Sequence, residues 1–203
     1  MKEIYIVTHT QATHHIDHLV GGWYDSELTE KGKADAIACG KRLHDFGADG
    51  FSIFSSDLVR ARQTADAISA CLGSSIRTDG RLREMSFGSA EGRPTREVGG
   101  AIPSHDGDNR LDFRNAYGGE TKRELAARLY EVMEEIILGE RAIICTHGYA
   151  ATFLIACWIG MPIESVGYVT FRVRPGSITS LVEDDVYLNR AVRYLSDVRH
   201  LAP

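Results

Sequence analysis

The chain has 203 residues, 43% of them hydrophobic and 25% charged, with a formal net charge of -5. That length and balance fit one globular domain, or one domain with a sizeable insertion, around a real core. The acidic balance argues against a nucleic-acid partner, so an anionic ligand must be gripped by a local cluster of donors.

Ile4 to Val7 is a short apolar run rich in β-branched residues, the pattern of a strand buried on both faces. This opening is too short in apolar length for a signal peptide, and no apolar run approaches the roughly 18 residues of a membrane span. Cys39, Cys71, Cys145 and Cys157 form no Cys-x-x-Cys pair, and Cys145 and Cys157 sit in apolar runs. Free thiols in a reducing compartment are the expectation, with a cytoplasmic location and no membrane contact.

A helix is expected from about Thr29, with Ala34, Ile37, Ala38, Leu43 and Phe46 at helical spacing. Phe51 to Phe54 reads as a second strand, and Asp57 to Leu72 as a helix ended by Gly73. Ile76 to Thr78 reads as a short third strand. Residues from about 88 to 119 break the rhythm with glycines, Pro94, Pro103 and a polar run, which predicts an inserted loop or lid. Helix returns from Thr121 to about Leu138, followed by a strand at Ala142 to Cys145 and a helix at Ala150 to Ile159. Strands are expected at Val166 to Val173, Ser177 to Val182 and Ala191 to Leu195, the first two joined as a hairpin by Pro175-Gly176. The run Val192 to Leu201 could cover a sheet edge or form a homodimer interface. Alternating strands and helices predict an α/β fold, a mainly parallel sheet covered on both faces.

In such sheets ligands bind beyond the carboxyl ends of the strands. Three strand ends carry chemistry: Thr8-His9-Thr10, Ser55-Ser56-Asp57 leading to Arg60, and Thr146-His147-Gly148. A lone histidine is more often structural, but the repeated placement predicts convergence on one pocket.

The whole pattern resembles the histidine phosphatase, or phosphoglycerate-mutase-like, superfamily. The matching motifs are Gly22-Trp23-Tyr24-Asp25 through Leu28-Thr29 to Gly32, Ser55 to Ala65, Leu82-Arg83-Glu84 to Gly88, Gly118-Gly119-Glu120-Thr121 and Thr146-His147-Gly148. Their order is the family's. The resemblance implies a three-layer sandwich spanning 1–203 as a single domain. It also implies a metal-independent and cofactor-free phosphatase acting on a small phosphomonoester. His9 would attack phosphorus and carry the phosphoryl group, Arg60 would grip its oxygens, His147 would donate to them, and Glu84 would serve as acid and then base. Thr8, Thr10, His15, Trp23 and Gly148 would line the substrate position.

The resemblance breaks at Thr8 and Thr10, which stand where the family has arginine and glycine. An uncompensated loss of that arginine would cost about 2–4 kcal/mol of transition-state binding. His14, His15 and His18 crowd the same loop, and a protonated His15 could supply the missing charge. The alternatives are an exposed loop without a catalytic part, or a metal site built from His9, His14, His15 and His18. Two other functions compete: a degenerate member that binds a phosphorylated ligand or partner, and a phosphoglycerate mutase. The second would need a basic insertion after Glu84, which Ser86 to Pro94 lacks.

Overall fold

The computed structural model describes residues 1–98, 108–139 and 141–201. Its strands are β1 (Lys2–Thr8), β2 (Ser52–Ser55), β3 (Ile76–Thr78), β4 (Arg141–Thr146), β5 (Ile178–Glu183) and β6 (Arg190–Asp197). The helices are α1 (Thr13–Ile16), α2 (Glu30–Asp45), α3 (Val59–Leu72), α4 (Thr95–Val98), α5 (Lys122–Ile137) and α6 (Gly148–Trp158). The strands form one mixed sheet in the order β3-β2-β4-β1-β5-β6. The pairs β1–β4, β4–β2 and β2–β3 are parallel, and β5 and β6 continue the sheet antiparallel.

Successive side chains of β1 and β4 point to opposite layers, which explains their unbroken apolar runs. Ile4, Ile6, Ala142 and Ile144 pack with Leu125, Leu129, Phe153 and Leu154 of α5 and α6. Tyr5, Val7, Ile143 and Cys145 pack with Cys39, Leu43 and Ile68 of α2 and α3. The result is the three-layer α/β arrangement, and each fully buried leucine or isoleucine contributes about 1.5–3 kcal/mol.

Caps fix where the helices begin. Thr29 Oγ1 accepts from Gly32 N at 3.0 Å, and Thr121 with Glu124 closes a reciprocal capping box. Gly73, at φ +66°, ends α3 in the left-handed conformation expected of it. Cys145 and Cys157 are buried free thiols. Among the described residues no helix is long and apolar enough to cross a membrane.

The strand expected at Val166–Val173 and the Pro175-Gly176 hairpin are not formed. Both edges of β5 are already taken, by β1 and β6. Ile163–Tyr168 instead coil into a 3₁₀ turn after Pro162, Lys122 Nζ holds Gly167 O at 3.0 Å, and Phe171 N donates to Thr152 Oγ1. The hairpin lies one segment later, between β5 and β6, where the Asp184 carboxylate accepts from the amides of Val186, Tyr187 and Asn189. Of the expected lid at about 88–119, residues 99–107 lie outside the described residues. The remainder holds a 3₁₀ turn at Gly88–Ala90, helix α4 and the irregular approach to α5.

Candidate active site

β1 and β4 end side by side, and His9 N donates to Thr146 O at 2.8 Å just past that end. His9 is 6% exposed. Its Nδ1 lies 2.9 Å from Thr10 O. A carbonyl can only accept, so the ring proton sits on Nδ1 and Nε2 keeps its lone pair. Thr10 is itself pinned, its hydroxyl donating to Gly32 O at 2.7 Å and its amide to Thr64 Oγ1 at 3.3 Å. Burial, then the charge of Arg60, hold His9 well below the usual imidazole pKa, so the ring is neutral.

Arg60, in the first turn of α3, is buried. Its Nε–H donates to His9 Nε2 at 3.2 Å, Nη1 donates to Tyr24 O at 2.7 Å, and Nη2 to Gly22 O at 2.6 Å. Gly22 stands at φ +57°, and a Cβ there would lie 2.7 Å from Glu91 Oε1, so the tight turn that presents these carbonyls requires glycine. His9, Arg60 and Glu84 border a cavity of about 280 Å³, in which Arg60 is the sole permanently charged cation among the lining residues.

Glu84 follows the 3₁₀ turn Gly80–Leu82 and places its carboxylate against the first turn of α6. Oε2 accepts from Tyr149 N, and Oε1 from Ala150 N and Met85 N, each at 2.9 Å. Burial raises its pKa above the ordinary glutamate value, while these amides and Arg60 pull the other way. The backbone beneath it is braced twice: Trp23 Nε1 donates to Glu84 O at 2.8 Å and Arg128 Nη2 at 2.7 Å.

His147 is fully buried at the end of β4, with its ring edge-on to His9 at 5.1 Å between centroids. Its Nε2 lies 2.8 Å from Ser56 Oγ, which already accepts from Leu58 N. Ser56 Oγ has a hydrogen to give and a second lone pair with which to accept, so the contact fits a ring proton on either Nε2 or Nδ1. Among the described residues that Nδ1 is buried without a partner. Burial and Arg60 hold this ring neutral too.

The loop histidines divide. His15 stacks on His9 at 5.4 Å and lines the cavity, and His14 packs at 4.1 Å from His15 with Nδ1 2.6 Å from Ser26 Oγ. His18, at φ 53° beyond the one-turn helix α1, is exposed and stands outside this group. The expected imidazolium at His15 is disfavoured. Burial and Arg60 lower its pKa, and Nδ1 accepts from Ala12 N at 3.2 Å, which leaves a neutral Nε2–H donor. The ligand atoms of His9, His14 and His15 lie within 4.8 Å of one another. They fit a metal ion poorly, because Arg60 sits on His9 Nε2 and would repel a dication, and the Nε2–H tautomer of His15 offers no lone pair there.

Of the other expected substrate contacts, Thr8 and Gly148 line the cavity, whereas Thr10 and Trp23 buttress it from behind. The Thr8 hydroxyl donates to Arg174 O at 2.5 Å, so its single proton is already committed. Gly148 opens α6, whose first-turn N–H groups favour negative charge. Ser56, Phe87 and Arg128 complete the site without having been singled out. Ser56 stood inside a quoted motif, whereas nothing in the helical pattern around Arg128 sets it apart.

A family model described as histidine phosphatase superfamily (branch 1) matches residues 4–191. A "Probable phosphoglycerate mutase GpmB" of Salmonella paratyphi C (strain RKS4594) is 31% identical over 170 residues, covering 80% of this chain and 77% of that protein. Among solved structures, Bacillus stearothermophilus YhfR is 26% identical with a TM-score of 0.82 over 100% of both chains. An alpha-ribazole phosphatase from Shigella flexneri (23% identity, TM-score 0.79, 96% of each chain) shares the fold. So does a mycobacterial glucosyl-3-phosphoglycerate phosphatase (21% identity, TM-score 0.82, 98% of this chain and 100% of that one).

Proposed function

Because the chain belongs to the histidine phosphatase superfamily, we propose that it hydrolyses a small phosphomonoester through a phosphohistidine at His9. The observation that carries this reading is the fixed tautomer of His9. Nδ1–H is held by Thr10 O, and the Nε2 lone pair borders the cavity beside a buried guanidinium.

In the first step Nε2 forms a bond to phosphorus as the P–O ester bond breaks, and the electron pair leaves on the alcohol oxygen. Glu84, protonated, gives that oxygen its proton. As the P–N bond forms, Nε2 gives up the hydrogen bond from Arg60 Nε–H; that hydrogen, the two on Arg60 not bonded to Tyr24 O and Gly22 O, His147 and His15 Nε2–H suit the oxygens of the transferring group. The imidazolium formed on phosphorylation keeps its Nδ1–H on the Thr10 carbonyl. In the second step Glu84, now a carboxylate, takes a proton from water as the water attacks phosphorus. The P–N bond then breaks and restores the Nε2 lone pair.

Thr8 stands where the family resemblance has an arginine. Its hydroxyl is committed to Arg174 O, so Arg60 alone brings permanent positive charge, which supports modest turnover. The relatives named as probable phosphoglycerate mutases favour a second reading, in which His9 returns the phosphoryl group to another hydroxyl of the substrate. Against it, Ser86 to Pro94 carries one basic residue, Arg93, which lies over the Tyr117 ring.

Hydrolysis of an aryl phosphate by the wild-type chain, beside His9→Ala and beside interconversion of 2- and 3-phosphoglycerate, tests the choice. Phosphate release abolished by His9→Ala is the expected result. Interconversion without release would favour the mutase, and phosphate binding without either would make the chain a degenerate binder.

A further inference from the structure

A second cavity, of about 370 Å³, opens beside the first and is absent from the chemistry described so far. Glu84 lines the first, and Met85 and Tyr149, whose amides hold its carboxylate, line the second. Phe87 borders both. A leaving group on a phosphoryl group held in the first cavity would therefore have room beyond Phe87 in the second.

The lining of this second cavity is unusual in two respects. Phe87, Phe113, Tyr149 and Tyr168 give it aromatic walls. Arg110 and Lys122 give it two cations, and among the described residues neither lies within salt-bridge distance of a carboxylate. Lys122 is 7% exposed, and the acceptor of its ammonium is Gly167 O. Among the described residues Arg110 Nε is buried without a partner, while its guanidinium lies 4.5 Å from the Tyr168 ring centroid. Among the described residues the one carboxylate in the wall, Glu120, is engaged by Arg128 through two bonds of 2.7 Å and by Ser86 N. Burial, and then the charge of Arg110, push the Lys122 pKa down. A structural tie to Gly167 O needs a donor, not a buried charge. An anionic ligand removes the mismatch, and the aromatic walls favour a flat apolar body beside it.

We propose that this cavity is the leaving-group site, and that it selects phosphomonoesters whose alcohol combines a flat apolar body with a second anionic group held by Arg110 and Lys122. This selection rests on the phosphatase reading of the neighbouring cavity, but the anion site itself does not.

Two measurements separate them. The first compares kcat/KM for phenyl phosphate with that for 3- and 4-carboxyphenyl phosphate. The account expects at least a tenfold preference for a carboxylated substrate, carried by KM, and a ratio near one in Arg110→Ala or Lys122→Met. Equal values in the wild type, or a ratio that survives Arg110→Ala, would overturn it. Arg110 is half-buried, so its variant remains informative if Lys122→Met fails to fold. The second measures binding of 3-hydroxybenzoate and phenol to His9→Ala by calorimetry. Tighter binding of the benzoate, abolished by Arg110→Ala, supports the site even if no phosphate ester is hydrolysed. Equal binding of the two contradicts it whatever the turnover.

Discussion

Arg60 Nε lies 3.2 Å from His9 Nε2, while both other nitrogens of the same guanidinium are fastened to the backbone carbonyls of Tyr24 and Gly22. The charge beside the reacting nitrogen is thus held rigid from two directions before any ligand arrives, and little reorganisation is needed as charge develops. Lysine has a point charge and cannot reproduce this three-way fork. Arg60→Lys is expected to lower kcat/KM on an aryl phosphate by about 10²–10³-fold. A loss under tenfold would remove Arg60 from the transition state.

Glu84→Gln separates proton transfer from binding. Loss of the acid is expected to slow alkyl phosphates by about 10²–10⁴-fold and to slow esters of acidic phenols far less, since those leaving groups depart without a proton. Equal losses across the series would show that Glu84 only positions α6.

The pH profile follows from the same two groups. His9 must be neutral, and its pKa is depressed, so the rate falls only when pH drops well below the ordinary imidazole value. Glu84 must be protonated, and its pKa is raised, so the rate falls as pH rises through that elevated value. A rate that falls on the alkaline side is expected, and Glu84→Gln should erase that limb. A wild-type rate that keeps rising as the solution becomes alkaline would contradict the assignment, because the acid would by then have lost its proton.

Thr8→Val keeps the shape of the residue and deletes its hydroxyl. Since that hydroxyl donates to Arg174 O, the expected cost is about 1–3 kcal/mol of stability, read by denaturant unfolding, with KM nearly unchanged. A large rise in KM at intact stability would mean that the hydroxyl serves the substrate.

Gly32→Ala tests how the nucleophile loop is seated on α2. A Cβ at this position would lie 2.0 Å from Gln11 O, one residue beyond Thr10. The backbone must shift, and a loss of about 1–3 kcal/mol is expected together with lower activity as Thr10 O moves from His9. Unchanged stability would show that the loop accommodates the change.

Much of this was legible in the sequence because periodicity reports burial. Ile4 to Val7 and Ala142 to Cys145 read as strands covered on both faces, and their exits identified His9 and His147 as candidates. β5 and β6 were legible as Ser177 to Val182 and Ala191 to Leu195, but the alternation of apolar and polar residues in Val166 to Val173 read as a strand that is not formed. What excludes that segment from the sheet is topology, with both edges of β5 occupied. Arg128 was silent for a related reason. Its task is to bind the carbonyls of Arg81, Arg83 and Glu84, and a backbone carbonyl has no letter in the sequence. The neutrality of His15 was equally hidden, because it depends on the depth of the loop and on the nearby charge of Arg60.

The central claim is chemical, and rapid quenching during turnover of an aryl phosphate followed by peptide mass spectrometry addresses it most directly. The account predicts an acid-labile, base-stable phosphoryl group on the peptide containing His9, forming in a burst and absent from His9→Ala. Steady turnover with that peptide unmodified, or label on another residue, would contradict it.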